Sequence, residues 1–179
     1  MLYEFYYWIE NGNSGRDIWP LDNGFLATLW RPSLTKISPP GVSINPFVVW
    51  WMFHHTRLFA NRDYSLFLIY HDTKLVHRSV IFPGYFRFPF MVHDDLQIGD
   101  IWTHQEYRRK SLARFAAQNI FHIFAKPGRR IWYIADKDNI ASIRVAEKSG
   151  FAKAGEGCRT KRYGLNLFGS YVINHCCLK

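Results

Sequence analysis

Arg108, Arg109 and Lys110 place three cations in a row at the entry to an amphipathic helical stretch. A helix N-terminus exposes backbone N–H groups without intrahelical partners and carries partial positive charge. Cations at that end oppose the macrodipole unless an anion binds there. Phosphate is the natural anion, because helix N-termini bind it and Arg and Lys pair with its oxygens. The run Tyr107-Arg-Arg-Lys-Ser-Leu-Ala113 therefore reads as a phosphate site. The backbone amides of Arg109, Lys110, Ser111, Leu112 and Ala113 would sit over the phosphates. Ser111 costs some closeness and restricts the backbone angles relative to Gly, and its hydroxyl would offset this by donating. About thirty residues on, Asn139-Ile-Ala-Ser142 opens a second helix that ends at Gly150-Phe151. Together the two blocks point to an enzyme that holds a phosphorylated cofactor and transfers part of it.

These residues need elements to hold them. Residues 3–9 read as an aromatic-rich strand, and Asn11 to Gly15 as a turn cluster. Residues 25–30 suit a strand or a short helix, since periodicity does not decide. Residues 32–46 read as a loop around Pro39-Pro40-Gly41, and 47–60 as a helix apolar around most of its circumference. Residues 64–70 and 75–82 form a hairpin about the turn at 71–73. A further strand runs from Leu96 to Thr103, with Gly99 marking a bulge or a close approach by a ligand. Alternation along it puts Leu96, Ile98, Asp100 and Trp102 on one face. From Lys110 to Ala125, Leu112, Phe115, Ala116, Ile120, Ile123 and Phe124 recur at helical spacing, and Lys126-Pro127-Gly128 ends the helix. Residues 131–135 form a wholly apolar strand, as in a sheet covered on both faces. Asp138 or Asn139 caps the last helix, Gly150 suits its left-handed end, and the chain from Lys153 supplies one or two closing strands. The order gives an α/β fold, a mixed sheet flanked by helices in one domain.

The full chain has 179 residues, 48% of them apolar and 18% aromatic, which suits a folded domain with a sizeable core. A net charge of +9 favours anionic partners: a phosphate-rich cofactor, nucleic acid or an acidic surface. The aromatics sit in apolar runs that read as core and no nucleic-acid motif appears, so nucleic acid is the weaker choice. Cys158, Cys176 and Cys177 are an odd set that makes a poor disulfide framework. No spacing of His, Cys, Asp and Glu suggests a metal, and His54 and His55, adjacent on a helix, do not share a face. His175-Cys176-Cys177 reads as a tail. The first ten residues do not resemble a signal peptide, and the apolar run at 46–53 is too short to span a bilayer. The expected location is the cytoplasm.

The run at 107–113 resembles the signature of the GNAT superfamily of acyl-CoA-dependent N-acetyltransferases, which is Gln or Arg, two residues, Gly, one residue, then Gly or Ala. Arg108 matches its first position and Ala113 its last, while Ser111 stands at the usual Gly. The block from Asn139 to Phe151 is similar to the family's Asn-containing helix ending in Gly-Phe. Its Asn-x-x-Ser form is nearest to the branch that acetylates ribosomal-protein N-termini and to related small-molecule enzymes. The resemblance covers roughly residues 95–155. It implies a mostly antiparallel GNAT-like sheet with a splay between the strands at about 96–103 and 131–135. Residues 94–155 would carry the acyl-CoA motifs, residues 1–93 the variable acceptor side, and residues 156–179 the closing strands and tail.

The resemblance also implies acetyl-CoA as co-substrate, with no metal. Its pyrophosphate would lie on the 108–113 elbow and its pantetheine arm on the backbone of Ile101, Trp102 and Thr103. Asn139 would hydrogen-bond the arm, alongside its role as helix cap, and Ser142 lies on the same helix face. An amine would attack the thioester directly, so no covalent nucleophile is required. Asp100 is the favoured base, followed by Asp95 and His104; burial would raise the Asp100 pKa, and pairing with Arg or Lys is the alternative reading. Many relatives carry a Tyr acid where Ala146 stands here, which leaves Ser142, Tyr163, Tyr171 or water for that role. The aromatic first half suits a small-molecule amine such as an amino sugar. A protein N-terminus or lysine is the alternative acceptor, and a homodimer, a non-catalytic acyl-CoA binder and a nucleic-acid module stay open.

Overall fold

The computed structural model describes residues 1–10, 21, 24–42, 44–161 and 169–173. The expected turn at 11–15, Tyr163 and the tail residues His175, Cys176 and Cys177 lie outside the described residues. Eight strands form one sheet: β1 (Leu2–Ile9), β2 (Phe25–Trp30), β3 (Ser65–His71), β4 (Lys74–Pro83), β5 (Leu96–Thr103), β6 (Arg130–Asp136), β7 (Ala152–Arg159) and β8 (Tyr171–Ile173). Their spatial order is β2-β3-β4-β5-β6-β1-β7-β8. The first strand of the chain thus lies in the interior of the sheet, antiparallel to β6 on one side and β7 on the other. The β5–β6 pair is parallel and the other pairs are antiparallel.

Helices α2 (Leu112–Phe124) and α3 (Ile140–Ser149) cover one face. Leu112, Ala116, Ala117, Ile120, Phe121 and Phe124 of α2 are buried against Phe67, Ile69, Ile81, Leu96 and Ile98. Helix α1 (Asn45–His55) packs on the other face through Phe47, which meets Tyr64, Leu66, Leu68, Val80 and Phe82. It ends at His55, earlier than the apolar run suggests. The Thr56 hydroxyl donates to the Met52 carbonyl at 2.7 Å, and Arg57 turns to φ 60°. A third cluster on that face gathers Phe5, Trp132 and Ala154 with Phe90 and Tyr171.

The expected splay is present. The β5–β6 ladder holds through Leu96↔Ile131, Gln97↔Trp132 and Ile98↔Tyr133, then stops. Beyond it β5 stays with β4 as far as His77↔Thr103, while β6 stays with β1 as far as Tyr3↔Asp136. Each arm has a partner on its outer side, so the inner edges part as the sheet twists. The closed end is pinned by Asp95, which is fully buried. Its carboxylate accepts from the Arg130 N–H at 3.0 Å, the Trp132 Nε1–H at 2.8 Å and the Val92 N–H at 3.1 Å. These bonds occupy the carboxylate that was a second choice of base.

A bulge corrects the expected strand faces. Val80 pairs with Gly99 and Arg78 with Trp102, so one residue on β4 faces two on β5. Asp100 takes φ 44° to make this possible. The extra residue shifts the alternation, as a bulge must. Leu96, Ile98 and Ile101 face α2, while Asp100 and Trp102 join the α1 face; the four residues expected on one face are split. Gly99 has no room for a side chain without movement, since a Cβ there would lie 3.2 Å from Phe82 Cε2.

Replacing Asp95 by Ala strands the Trp132 indole N–H and the Arg130 amide in the core. The expected loss is on the order of 3 kcal/mol, read as a lower urea midpoint at unchanged slope.

Candidate active site

The elbow between β5 and α2 is built from strained backbone. Arg109 adopts φ 64° and Ser111 φ 57°, both in the left-handed region. Alternating backbone hands of this kind turn successive N–H groups toward one concave spot suited to an anion. Helix α2 starts at Leu112, two residues after the spacing suggests, because the left-handed Ser111 is its cap residue. Ser111 makes no side-chain capping bond and the first turn holds no acid. The first turn is thus electrostatically unbalanced, and Arg108, Arg109, Lys110 and Ser111 are all exposed. Lys110 Nζ lies 5.2 Å from the Tyr107 ring centroid and 5.8 Å from that of Phe25. Arg108 folds back and donates from Nε to the Thr103 carbonyl at 3.4 Å. That contact uses one of the β5 carbonyls expected to meet the arm.

The open arm of β5 is held from behind. His77 is fully buried, with Nδ1 2.8 Å from Thr103 Oγ1 and Nε2 2.9 Å from Ser79 Oγ. Burial pushes its imidazole down to about 3, so it stays neutral and serves as a fixed bridge across β4 and β5. His104, a candidate base, lies past the strand end. Its Nδ1 accepts from the Glu106 N–H at 3.4 Å and caps the single 3-10 turn Gln105–Tyr107. Ile101 is half-buried on the α2 face, and Trp102, 37% exposed, stands on the α1 face.

Asp100 lies at the bulge beside the parted strands. Its Oδ2 forms an ion pair with Arg78 Nη2 at 2.9 Å. Burial pushes the carboxyl above its ordinary range and the Arg78 guanidinium partly offsets that. Both earlier readings therefore hold together, a burial-raised carboxyl and an arginine partner.

Across the gap, Asn139 caps α3 by accepting the Ser142 N–H at 3.1 Å. Its amide NH2 makes no hydrogen bond among the described residues. Ser142 Oγ lies 2.8 Å from the Tyr133 hydroxyl. Tyr133 is the last β6 residue in the ladder with β5, so this pair sits at the fork. Burial pushes the Tyr133 phenol up and the Ser142 contact partly offsets it. Ala146 is fully buried under α3. Tyr171, an expected alternative acid, packs on the opposite face, 5.0 Å from the Tyr3 ring and 5.6 Å from that of Phe88. Sequence reasoning missed Tyr133 and Arg78. A lone tyrosine in an apolar strand implies a partner for its hydroxyl, which was a usable signal. Arg78 had none, since its partner depends on the bulge.

A cavity of about 390 Å³ lined by Arg57, Phe59, Tyr85, Phe88 and Met91 lies at the closed end of β4 and β5, away from the fork. Among the described residues no group of His, Cys, Asp and Glu is gathered as a metal site, and no helix is long and apolar enough to cross a membrane.

The model of the acetyltransferase (GNAT) family matches residues 27–151. No curated protein matches the sequence. Among solved structures, a GCN5-related N-acetyltransferase from Sphaerobacter thermophilus is similar at TM-score 0.59 and 11% identity, covering 87% of this chain and 49% of its own. A tandem GNAT protein from the clavulanic acid biosynthesis pathway gives TM-score 0.56 at 11% identity over 85% of this chain and 50% of its own. A conserved protein of unknown function from Staphylococcus epidermidis gives 0.52 at 14% identity over 87% and 58%. The chain thus spans about half to three-fifths of the length of these structures, and at such identities the likeness concerns the fold.

Ser111→Gly relieves a left-handed conformation that costs about 1–2 kcal/mol in other residues. It adds about 0.4–1 kcal/mol of unfolded-state entropy. The expected net is a gain of up to about 1 kcal/mol, measured as a higher urea midpoint.

Proposed function

The chain belongs to the GNAT acetyltransferase family, and on that premise we propose that it moves an acetyl or other short acyl group from acyl-CoA to a primary amine by direct attack. Members of this family generally use acetyl-CoA. The observation that carries the reading is a succession along the chain: the cationic elbow at Arg108–Ser111 follows β5, whose ladder with β6 ends at Ile98↔Tyr133. The elbow suits the pyrophosphate, with Arg108, Arg109 and Lys110 as counter-ions and the amides through Leu112 and Ala113 as donors. The edge of Ile101, Trp102 and Thr103 that faces away from β4 offers the pantetheine amides strand-like partners. The Asn139 amide, whose NH2 has no hydrogen bond among the described residues, offers another from the opposite arm. The fold family's ligand thus fits the residues present, and its thioester supplies the activated acyl group.

In this reading Asp100 is the base. The amine nitrogen forms its bond to the carbonyl carbon and gives up a proton to Asp100. The C–S bond breaks and its electron pair goes to sulfur. Ser142 donates a proton to the sulfur and Tyr133 donates one to Ser142; the Asp100 carboxyl and the Ser142–Tyr133 pair then exchange protons with water. His104, used as a cap, is the weaker base. The acceptor we favour is a small amine such as an amino sugar, because the half of the chain before residue 94 is aromatic; a protein N-terminus or lysine is the alternative. We read residues 1–179 as one acyltransferase domain acting in the cytoplasm.

Acetyl-CoA should raise Tm by mass action, more than dephospho-CoA or plain nucleotides do. Arg108→Ala should weaken acetyl-CoA binding roughly tenfold, the scale of one charge-assisted contact; an unchanged Kd by calorimetry would remove the elbow from the site. Thiol release against a panel of amino sugars, polyamines and peptide N-termini identifies the acceptor class. With the best amine, Asp100→Asn should lower kcat/KM by about 10²–10⁴.

A further inference from the structure

We propose that Arg78 is the positioning residue for Asp100, holding its carboxylate in proton-accepting form at the open fork so that Oδ1 is left for the acceptor amine. The inference rests on the reading of Asp100 as base and adds a residue that neither the family signature nor strand alternation singles out.

The bulge creates the contact. Counted on from Val80↔Gly99 without the extra residue, Asp100 would oppose Ser79 on the α2 face and Arg78 would oppose Ile101. The extra residue brings Asp100 to the face of Arg78, with its Oδ2 2.9 Å from Arg78 Nη2. The guanidinium is itself fixed, lying over the Phe47 ring at 5.5 Å from its centroid. Both side chains are partly shielded, at 19% exposure for Arg78 and 34% for Asp100, so the pair is screened less than a surface pair. Among the described residues no donor reaches Asp100 Oδ1.

The surroundings oppose a charged carboxylate. Phe47, Val80 and Phe82 are buried on this face. Tyr64, at the entrance to β3, is fully buried, and its hydroxyl has no hydrogen-bond partner among the described residues. Burial and the Asp100 charge push its phenol up, so it stays neutral and brings no compensating cation. From α1, His54 lies 6.0 Å from the Tyr64 ring, and burial followed by His55 and Arg62 pushes it down toward the neutral form. The far arm of the fork carries Asp136, a like charge. Arg78 is therefore the cation that offsets the cost of ionising Asp100. Without it the carboxyl would stay protonated to higher pH and could not accept the amine proton.

The test pairs a carboxyl titration with a rate profile. Carbon-13 NMR of aspartate-labelled protein follows the Asp100 carboxyl, assigned by its loss in Asp100→Asn. In Arg78→Gln the midpoint should rise by about one pH unit or more, the scale of an adjacent arginine's effect. The acid limb of kcat/KM for the best amine of the panel should rise with it. Arg78→Lys should restore most of both, and Arg78→Met carries the test if Arg78→Gln does not fold. An unmoved midpoint and limb in Arg78→Gln or Arg78→Met, with Asp100→Asn inactive, would overturn the role of Arg78 alone. A fully active Asp100→Asn would instead overturn the base reading beneath it. Loss of acetyl-CoA binding in Arg78→Gln would also count against the proposal, which places Arg78 on the acceptor face only.

Discussion

The three-rung ladder between β5 and β6 is the constraint on which the rest of the molecule depends. Two parallel strands held at one end and committed to different partners at the other must separate. Asp95 fixes the closed end by tying the turn before β5 to the first amide of β6 and to the Trp132 indole. Antiparallel ladders with β4 and β1 fix the outer edges. The gap is then a consequence of topology and not of any residue lining it. It leaves a row of backbone N–H and C=O groups without sheet partners, and such groups call for a ligand with amide-like spacing. The interior place of β1 matters here: without it β6 would lose its outer ladder and the open arm its support.

The two faces of the sheet divide the work. Helices α2 and α3 bring the cationic elbow, Asn139 and Ser142 to one side, where β6 presents Tyr133. The bulge at Asp100 turns a carboxylate and an arginine to the other, beneath α1. In the proposed reading a long anionic ligand lies on the first side and an amine approaches Asp100 from the second, at the fork. Each side also tolerates local strain, at Arg109 and Ser111 on one and at Asp100 on the other. Left-handed conformations in residues other than glycine persist only where surrounding structure over-determines them. Here the α2 core and the β4–β5 ladder provide that support.

Periodicity made most of the fold legible. The apolar spacing of α2, the unbroken apolar run of β6 and the hairpin of β3 and β4 each fell close to their observed bounds. The elbow was legible through charge, since three cations at a helix start are unfavourable without an anion. Two things were not. The α1 boundary was hidden because an apolar run does not announce where its backbone turns, and Thr56 and Arg57 decided it. The faces of β5 were hidden because a bulge leaves the residue pattern almost unchanged. Gly99 hinted at it, yet the extra residue is Asp100, a non-glycine at positive φ. Strand alternation then misassigned the faces of β5 and concealed Arg78 as its partner.

Asp100 shows how one inserted residue can link fold and chemistry. A carboxyl among Phe47, Tyr64 and Val80 is costly to ionise, and an arginine removes the cost only if it lies within contact distance. Regular β geometry would turn Asp100 to the α2 face, away from these neighbours and from the arginine. The bulge supplies both, leaving a carboxylate whose proton affinity is raised by burial and restrained by charge. Such opposed effects bring a carboxyl toward the range where it can take a proton from an amine and release it to water. A partly exposed ion pair is weak evidence for stability, because solvent screens much of the attraction. In the proposed reading the strained strand and the ion pair serve Oδ1, which no donor among the described residues reaches.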